Sequence, residues 1–433
     1  FKHCDVPFDM IVEKLSPQRS LSIPPIFQVH FVLQNALSQA AAGQGVTPGS
    51  GQALSMTPIE SRTATAKLDL NLFLFESPEG LLASMEYATD LWDSESVQDM
   101  LQHYSNLLDG IAANPNQKIA YLPILGQKEI DQVQEWNATN ETYPQDQCIH
   151  HLFEDQVEAT PDKTAYVVAG ESFTYRELNQ RANRIAHFLQ KRGVGPEVRV
   201  GLFVKRSYWM GIGALAVFKS HGTYVPLDPN HPPDRLEHML EVTHPEIILT
   251  QSEMSGQLPA TSAGIICLDK SDELFAKCAA DNPARLDHAE HSAYVLFTSG
   301  STGKPKGILV AHKSFRNMAN AHRWMEVVNE QTRILQFASL SFSISLWGSF
   351  MAWLGGGTLF QVVDEEGLPE EPLFRLLKEE QINTVTWPVS LLSTFPEIDL
   401  PDLQTVISSA EPCTDAVVEK WSRNGRRFMN MYG

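Results

Sequence analysis

Residues 293–312 read AYVLFTSGSTGKPKGILVAH, an apolar run that enters a loop of Gly, Ser, Thr and Lys and leaves it as apolar sequence again. Such a loop can bind an anion. Gly300, Gly303 and Gly307 let backbone N–H groups approach phosphate oxygens with no Cβ in the way. The hydroxyls of Thr298, Ser299, Ser301 and Thr302 donate further hydrogen bonds, and Lys304 and Lys306 offset negative charge. Triphosphate binding is the chemistry expected. The loop is not a Walker sequence, because two residues rather than four separate Gly300 from Gly303, and Lys304 precedes Pro305 rather than Ser or Thr. Composition alone would also fit a flexible Gly/Ser turn.

A loop of this kind needs a sheet to hold it. From residue 149 onward, helical periods alternate with short apolar runs: helix 149–160, strand 164–168, helix 175–192, strand 198–204, helix 208–220, then strands at 247–250, 293–297 and 406–408. That rhythm predicts a layered α/β sheet. Upstream, 26–33 (IFQVHFVL) and 68–75 (LDLNLFLF) alternate as strands, joined by residues 38–62, whose Ala, Gly, Ser, Gln and Thr read as a mobile loop. In residues 90–111 an amphipathic helix is marked by Val97, Met100, Leu101, Tyr104, Leu107 and Leu108, with Asp93 or Ser94 placed to cap it. Pro115, Pro123 and Pro144 punctuate the next stretch, around a short helix at 128–136. The expected organisation is a first domain over 1–120, a linker over 121–145 and a second domain over 146–433.

The 433 residues exceed the roughly 100 to 200 expected of one domain. Acidic side chains number 52 against 33 basic ones, giving a formal net charge of −19 that repels nucleic acid and anionic bilayers. Lys and Arg are scattered, with no basic patch, so neither nucleic acid nor membrane is expected as a partner. Cys4, Cys148, Cys267, Cys278 and Cys413 are odd in number and widely spaced, as reduced thiols of a cytoplasmic protein would be. The chain shows no run of about 20 apolar residues, no signal peptide, no His/Cys metal spacing and no GxSxG nucleophile. It begins with Phe1 and stops at Met431-Tyr432-Gly433 directly after strand-like sequence, so both ends are expected to be cut.

TSGSTGKPKG at 298–307 closely resembles the phosphate loop of the acyl-adenylate-forming family, which includes acyl-CoA synthetases, luciferases and the adenylation domains of nonribosomal peptide synthetases. FTYRELNQRANRIAHFL at 173–189 and FKSHGTYVPLDPNHPPDRLEHML at 218–240 stand in that family's order. The YVPLDP of the latter, with EWNATNETYP at 135–144 and IHHLFEDQVEATPDKTAYV at 149–167, is similar to the peptide synthetase branch. HCDVPFDMIVEKLSPQRS at 3–20, PIFQVHFVLQN at 25–35 and AKLDLNLFLFE at 66–76 resemble late motifs of a condensation domain, without its His-His motif. A stand-alone acyl-CoA synthetase would lack that first segment.

The resemblance implies an α/β fold: the tail of a chloramphenicol-acetyltransferase-like unit, then the layered N-terminal subdomains of an adenylating enzyme. It implies ATP and Mg2+, attack of a carboxylic acid on the α-phosphate with release of pyrophosphate, and transfer of the acyl group to the phosphopantetheine thiol of a peptidyl carrier protein, with neighbouring condensation domains as further partners. Thr298, Ser299, Gly300, Ser301, Thr302, Gly303, Lys304 and Gly307 would clamp the phosphates, with Thr302 also near the metal. Ala410, Glu411 and Pro412 would line the adenine edge, joined by Asn430, Met431, Tyr432 and Gly433, with Tyr432 stacking on the ring. The family's catalytic lysine falls beyond Gly433, so no catalytic residue is assigned and the chain alone is expected to be nearly inactive. An inactive nucleotide-binding scaffold is the alternative of another class.

By position in the family motif, Phe342, Ser343, Ile344, Trp347, Thr386, Ile407, Ser409 and Met431 would form the acid pocket. Peptide synthetases usually carry Asp where Ser343 stands, to pair with an α-ammonium. Removing one member of a buried ion pair costs about 3 to 5 kcal/mol, and a neutral hydroxyl suits a keto or hydroxyl oxygen better. The expected substrate is therefore an apolar α-keto or α-hydroxy acid, or an acid whose amine lies elsewhere. An ordinary α-amino or β-amino acid is the alternative, with another group taking over the Asp role. His312 stands close enough to the loop to touch bound nucleotide, whereas His150 and His151 are expected to pack a helix start.

Overall fold

The computed structural model describes residues 5–17, 24–34, 65–77, 80–143, 146–286, 288–298, 304–325, 327–363 and 370–431. The chain divides into two compact units, Phe1–Glu141 and Thr142–Gly433.

In the first unit, strands Val29–Gln34, Leu70–Ser77 and Gly80–Tyr87 form one sheet in that order. The first two pair in parallel, Val29 opposite Leu70, and the last two antiparallel. The stretch expected as their connecting loop, 38–62, lies outside the described residues. Helix Ser94–Ala113 begins where its sequence signal stands: an oxygen of Asp93 accepts the Ser96 N–H at 2.8 Å, satisfying one of the N–H groups a helix start leaves without a partner. Helix Gln127–Trp136 docks on it, since Glu129 meets His103 Nε2 at 2.6 Å and accepts the Gly126 N–H at 2.8 Å. Part of the segment read as a linker therefore folds into the first unit.

The second unit holds two sheets. Six strands run in the order Lys306–Ala311, Ser292–Thr298, Thr223–Pro226, Arg199–Phe203, Ile247–Thr250 and Gly264–Cys267. Seven run Arg427–Met431, Thr405–Ser409, Thr384–Pro388, Arg333–Gln336, Thr358–Gln361, Thr164–Val168 and Glu171–Thr174. Pairing is parallel except in the two hairpins, 292–298 with 306–311 and 164–168 with 171–174.

Helix Tyr208–Lys219 is apolar around nearly its whole circumference, as an element buried on all sides must be. Its glycines show what it touches. A Cβ on Gly211 would come within 2.8 Å of Tyr166 in the seven-stranded sheet and 3.0 Å of Trp353, whereas one on Gly213 would come within 2.7 Å of Leu202 in the six-stranded sheet. Residues two apart on a helix face nearly opposite ways, so the helix is thin on both sides and each sheet can close on it. Tyr166 and Trp353 are both fully buried, and Trp353 Nε1 donates to the Ala165 carbonyl at 3.1 Å, so neither ring has room to move. Gly211→Ala is accordingly expected to destabilise the unit by about 1 to 3 kcal/mol despite alanine's higher helix propensity. Calorimetry should show a fall in melting temperature of several degrees. Gly256→Ala, with no atom within 4 Å of the added carbon, should leave it unchanged.

The last residue of the same helix, Lys219, is fully buried and its ammonium donates to the equally buried carboxylate of Glu154. Its Nζ also lies 3.3 Å from Asn282 Oδ1. Arg285 reaches Glu154 at 3.3 Å and Asp155 at 3.0 Å from a more exposed position. Burial pulls the Lys219 pKa below the usual lysine value, against the opposing attraction of Glu154. Among the described residues no helix is long and apolar enough to cross a membrane.

Candidate functional site

Two strands of an antiparallel hairpin flank the Gly/Ser/Thr-rich segment. Strand Ser292–Thr298 carries the chain in and strand Lys306–Ala311 carries it out, with Thr298 opposite Lys306. Residues 299–303 lie outside the described residues. Thr298 and Lys304 are exposed at the loop's two ends, where they can present a hydroxyl and an ammonium. Gly307 packs where a Cβ would stand 3.3 Å from Val295, so the hairpin is narrow there. His238, on helix Pro233–Thr243, lies with Nε2 2.9 Å from the Pro305 carbonyl and ties the outgoing stem to the six-stranded sheet's flank. His238 carries no signal of this in the sequence, although it stands inside the 218–240 segment that bears the family resemblance.

Beside the hairpin lies a cavity of about 640 Å3. Its walls come from several elements: Tyr294 of the incoming strand, Phe315, Met318 and His322 of helix His312–Trp324, Phe342 with Ser343, Ile344 and Trp347 of helix Ser343–Leu354, and Met431 at the end of its strand. Ser409, Ala410, Glu411 and Pro412 close the remaining side. The parallel strands Thr405–Ser409 and Arg427–Met431 both point their carboxyl ends here, which is where open α/β sheets take their ligands. Ala410 turns the chain out of its strand with φ of +72°, a left-handed conformation that costs a Cβ-bearing residue about 1 kcal/mol or more.

Nine residues assigned to two different roles from the sequence thus share one cavity: Phe342, Ser343, Ile344, Trp347, Ser409, Ala410, Glu411, Pro412 and Met431. Thr386 and Ile407 stand opposite each other in adjacent strands, one row deeper on the face that carries Ser409, and do not line it. Asn430 alternates to the other face of its strand, while Tyr432 and Gly433 lie outside the described residues. His312 is not at a nucleotide surface. It is buried, 5.5 Å from the His150 ring and 5.8 Å from Phe218, because the hairpin strand ends at Ala311 and the next helix turns residue 312 into the core. His151 accepts the Cys148 N–H at 3.1 Å, the helix-start role expected of it.

The AMP-binding enzyme family matches residues 153–433 and the condensation domain family residues 1–133. The chain belongs to the AMP-binding enzymes. Bacitracin synthase 3 of Bacillus licheniformis is 33% identical over the whole chain, and tyrocidine synthase 3 of Brevibacillus parabrevis is 34% identical, again over all of it. The chain spans 7% of the length of each. The nonribosomal peptide synthetase FmoA3 in its AMPPNP-bound form superposes on the whole chain with a TM-score of 0.84 at 21% identity, using 46% of that structure. The four-domain nonribosomal peptide synthetase holo-AB3403, bound to AMP and glycine, gives 0.78 at 25% identity, again over the whole chain and 33% of that structure. The α/β class and the succession of a condensation segment and an AMP-binding segment are as the sequence motifs implied.

Within the AMP-binding unit, a helix start stands in the cavity wall. Ser343 is the first residue of its helix, and Phe342 before it offers no side-chain acceptor to the leading N–H groups. The positive end of the helix dipole therefore faces this region, with no acidic residue in the helix's own first turn. Glu411 contributes a carboxylate to the lining, and one of its oxygens accepts the Ser390 N–H at 2.6 Å.

Proposed function

We propose that the Thr142–Gly433 unit activates a carboxylic acid with ATP inside a nonribosomal peptide synthetase module. The acid oxygen attacks the α-phosphorus, the bond to the pyrophosphate oxygen breaks, and an acyl adenylate and pyrophosphate result. The acyl group then passes to the phosphopantetheine thiol of a carrier domain. Thr298 and Lys304 would hold phosphate oxygens from the hairpin ends, with Thr302 on the magnesium ion, which supplies charge neutralisation at the phosphates. The backbone at Ala410–Pro412 would lie along the adenine, and the cavity wall of Phe315, Ile344, Trp347 and Met431 would take an apolar acyl chain.

The acid itself is an α-keto or α-hydroxy acid. The observation that carries this is Ser343 at the bare, positive start of helix Ser343–Leu354. An α-ammonium there would meet a helix dipole of its own sign and a neutral hydroxyl, whereas a keto or hydroxyl oxygen can accept from both. A second reading, an α-amino or β-amino acid, draws on Glu411 as the one lining carboxylate among the described residues.

The experiment is ATP/pyrophosphate exchange in the full-length protein, with α-keto, α-hydroxy, α-amino and β-amino acids that share one side chain. Fastest exchange with the keto or hydroxy acid is the result expected. A preferred amino acid would retain adenylation and transfer the recognition role to Glu411, and exchange with none of them would leave a scaffold that binds nucleotide without using it.

A further inference from the structure

Asp228 follows strand Thr223–Pro226 of the six-stranded sheet and is only 5% exposed. Its two carboxylate oxygens serve different parts of the unit. Oδ1 accepts the Asn230 N–H at 2.9 Å, and the Asp228 carbonyl accepts the His231 N–H at 3.0 Å, which together close a turn over 228–231. Pro232 and Pro233 come next, and their fixed φ passes the direction of that turn to helix Pro233–Thr243. His238 of this helix holds the Pro305 carbonyl on the outgoing stem of the phosphate hairpin. Oδ2 reaches instead to the stretch after strand Arg333–Gln336 of the seven-stranded sheet, where it accepts the hydroxyl hydrogen of Ser339. With its one hydrogen directed to Asp228, the Ser339 oxygen accepts from the Ser341 hydroxyl at 2.8 Å and the Ser341 N–H at 3.2 Å, which fills both its acceptor sites. The Ser339 carbonyl accepts the Phe342 N–H at 3.1 Å, and Ser343 follows as the first residue of the cavity helix.

Asp228 does not line the cavity, yet it joins the two parts of the unit that adenylation must bring together. Phe342 and Ser343 are both exposed, and Leu340 is the one buried residue of the turn before them, so hydrogen bonds carry much of the task of fixing the backbone there. We propose that Asp228 is a positioning residue for adenylation: by bridging the turn before the cavity helix and the turn before the helix that holds the phosphate hairpin, it sets the distance and angle at which the acid meets the α-phosphorus. A carboxylate suits this place because both its oxygens accept. Asparagine offers one oxygen, and its NH2 would face either the Asn230 N–H or a Ser339 oxygen whose acceptor sites are already filled. Asp228→Asn therefore frees one arm of the bridge at nearly constant volume. Attack needs the reacting atoms about 3 to 3.5 Å apart, and a misplacement of about 1 Å can lower the rate by about a hundredfold. The inference rests on the adenylation reading above but not on which acid is activated.

The test is ATP/pyrophosphate exchange in the full-length protein with the acid that exchanges fastest, at varied acid and varied ATP. Asp228→Asn should lower kcat by about ten- to a hundredfold while both KM values stay within about threefold, because each substrate keeps its own binding surface and only their mutual alignment is lost. Ser339→Ala releases the acid-side arm alone and should lower kcat by about tenfold. Added to Asp228→Ala, which removes both arms, Ser339→Ala should lower kcat by less than about twofold further, since the two residues act through one bridge. A merely structural role would lower the melting temperature and the number of active sites, counted by adenylate formed in a single turnover, and leave kcat per active site unchanged. Should Asp228→Asn fail to fold, Ser339→Ala decides alone. With exchange present in the parent, an unchanged kcat per active site, or a loss confined to one KM, would overturn the positioning role while adenylation stands. No exchange with any acid in the parent would overturn the adenylation reading and this role together.

Discussion

Ser343→Asp should turn the preferred acid into the matched α-amino acid, raising its kcat/KM relative to the α-keto or α-hydroxy acid by about a hundredfold or more. The size comes from the new carboxylate's effect on each ligand. A buried ammonium that gains a partner recovers about 3 to 5 kcal/mol, and every 1.4 kcal/mol is a factor of ten. An α-keto oxygen meets the reverse, its lone pairs facing a negative charge where a hydroxyl had donated, whereas an α-hydroxyl can still donate to the carboxylate and gains or loses little. The protein should tolerate the change, since Ser343 is exposed on the cavity side and an aspartate at a helix start is favoured by about 0.3 to 1 kcal/mol. Exchange assays on matched pairs and a melting curve check both halves. A variant that folds normally and keeps the parent's order of substrates would refute the role given to Ser343.

Lys219→Met should cost the second unit about 3 to 5 kcal/mol of a total stability of roughly 5 to 15. The methionine fills much the same volume, so the loss is electrostatic. Glu154 would be left at 2% exposure with Arg285 alone to answer it from a position 44% exposed. Removing both charges is a different matter, because a buried pair replaced by uncharged groups is often neutral or better. Lys219→Met with Glu154→Gln should therefore recover most of the stability lost in the single variant. Denaturant titration gives the comparison directly, and equal losses in single and double variants would argue against an uncompensated Glu154 as the cause.

Local sequence determines the part of the fold that can be read in advance. Strands Thr164–Val168 and Ile247–Thr250 fall where their apolar runs fall, and Asp93 caps the helix whose start it marks. The hairpin around the phosphate loop is likewise a matter of one strand, one loop and the next strand. The division into two sheets is not readable, because a strand's partner is a non-local choice: Val168 lies beside Gln361, and nothing in either segment names the other. The parallel pairing of Val29–Gln34 with Leu70–Ser77 is of the same kind. At the site, motif positions name nine residues that line one cavity, but His322, which lines it too, is invisible. A single histidine on an amphipathic helix carries no signal of its own. His312 misleads for the opposite reason, since nearness in sequence to a loop says nothing about which way a residue turns.

The route of the chain through the two sheets also bears on how the protein is made. All strands of the six-stranded sheet fall between residues 199 and 311, whereas the seven-stranded sheet takes two strands from before that stretch and five from after it. The side-chain hydroxyl of Thr358 bonds the carbonyl of Thr164, 194 residues earlier. At a synthesis rate of about 5 to 20 residues per second, the hairpin at 164–174 leaves the ribosome some ten to forty seconds before its neighbouring strand exists. Over that interval one sheet can close completely while the other holds a hairpin whose edge stays open to other pairings until Thr358–Gln361 emerges.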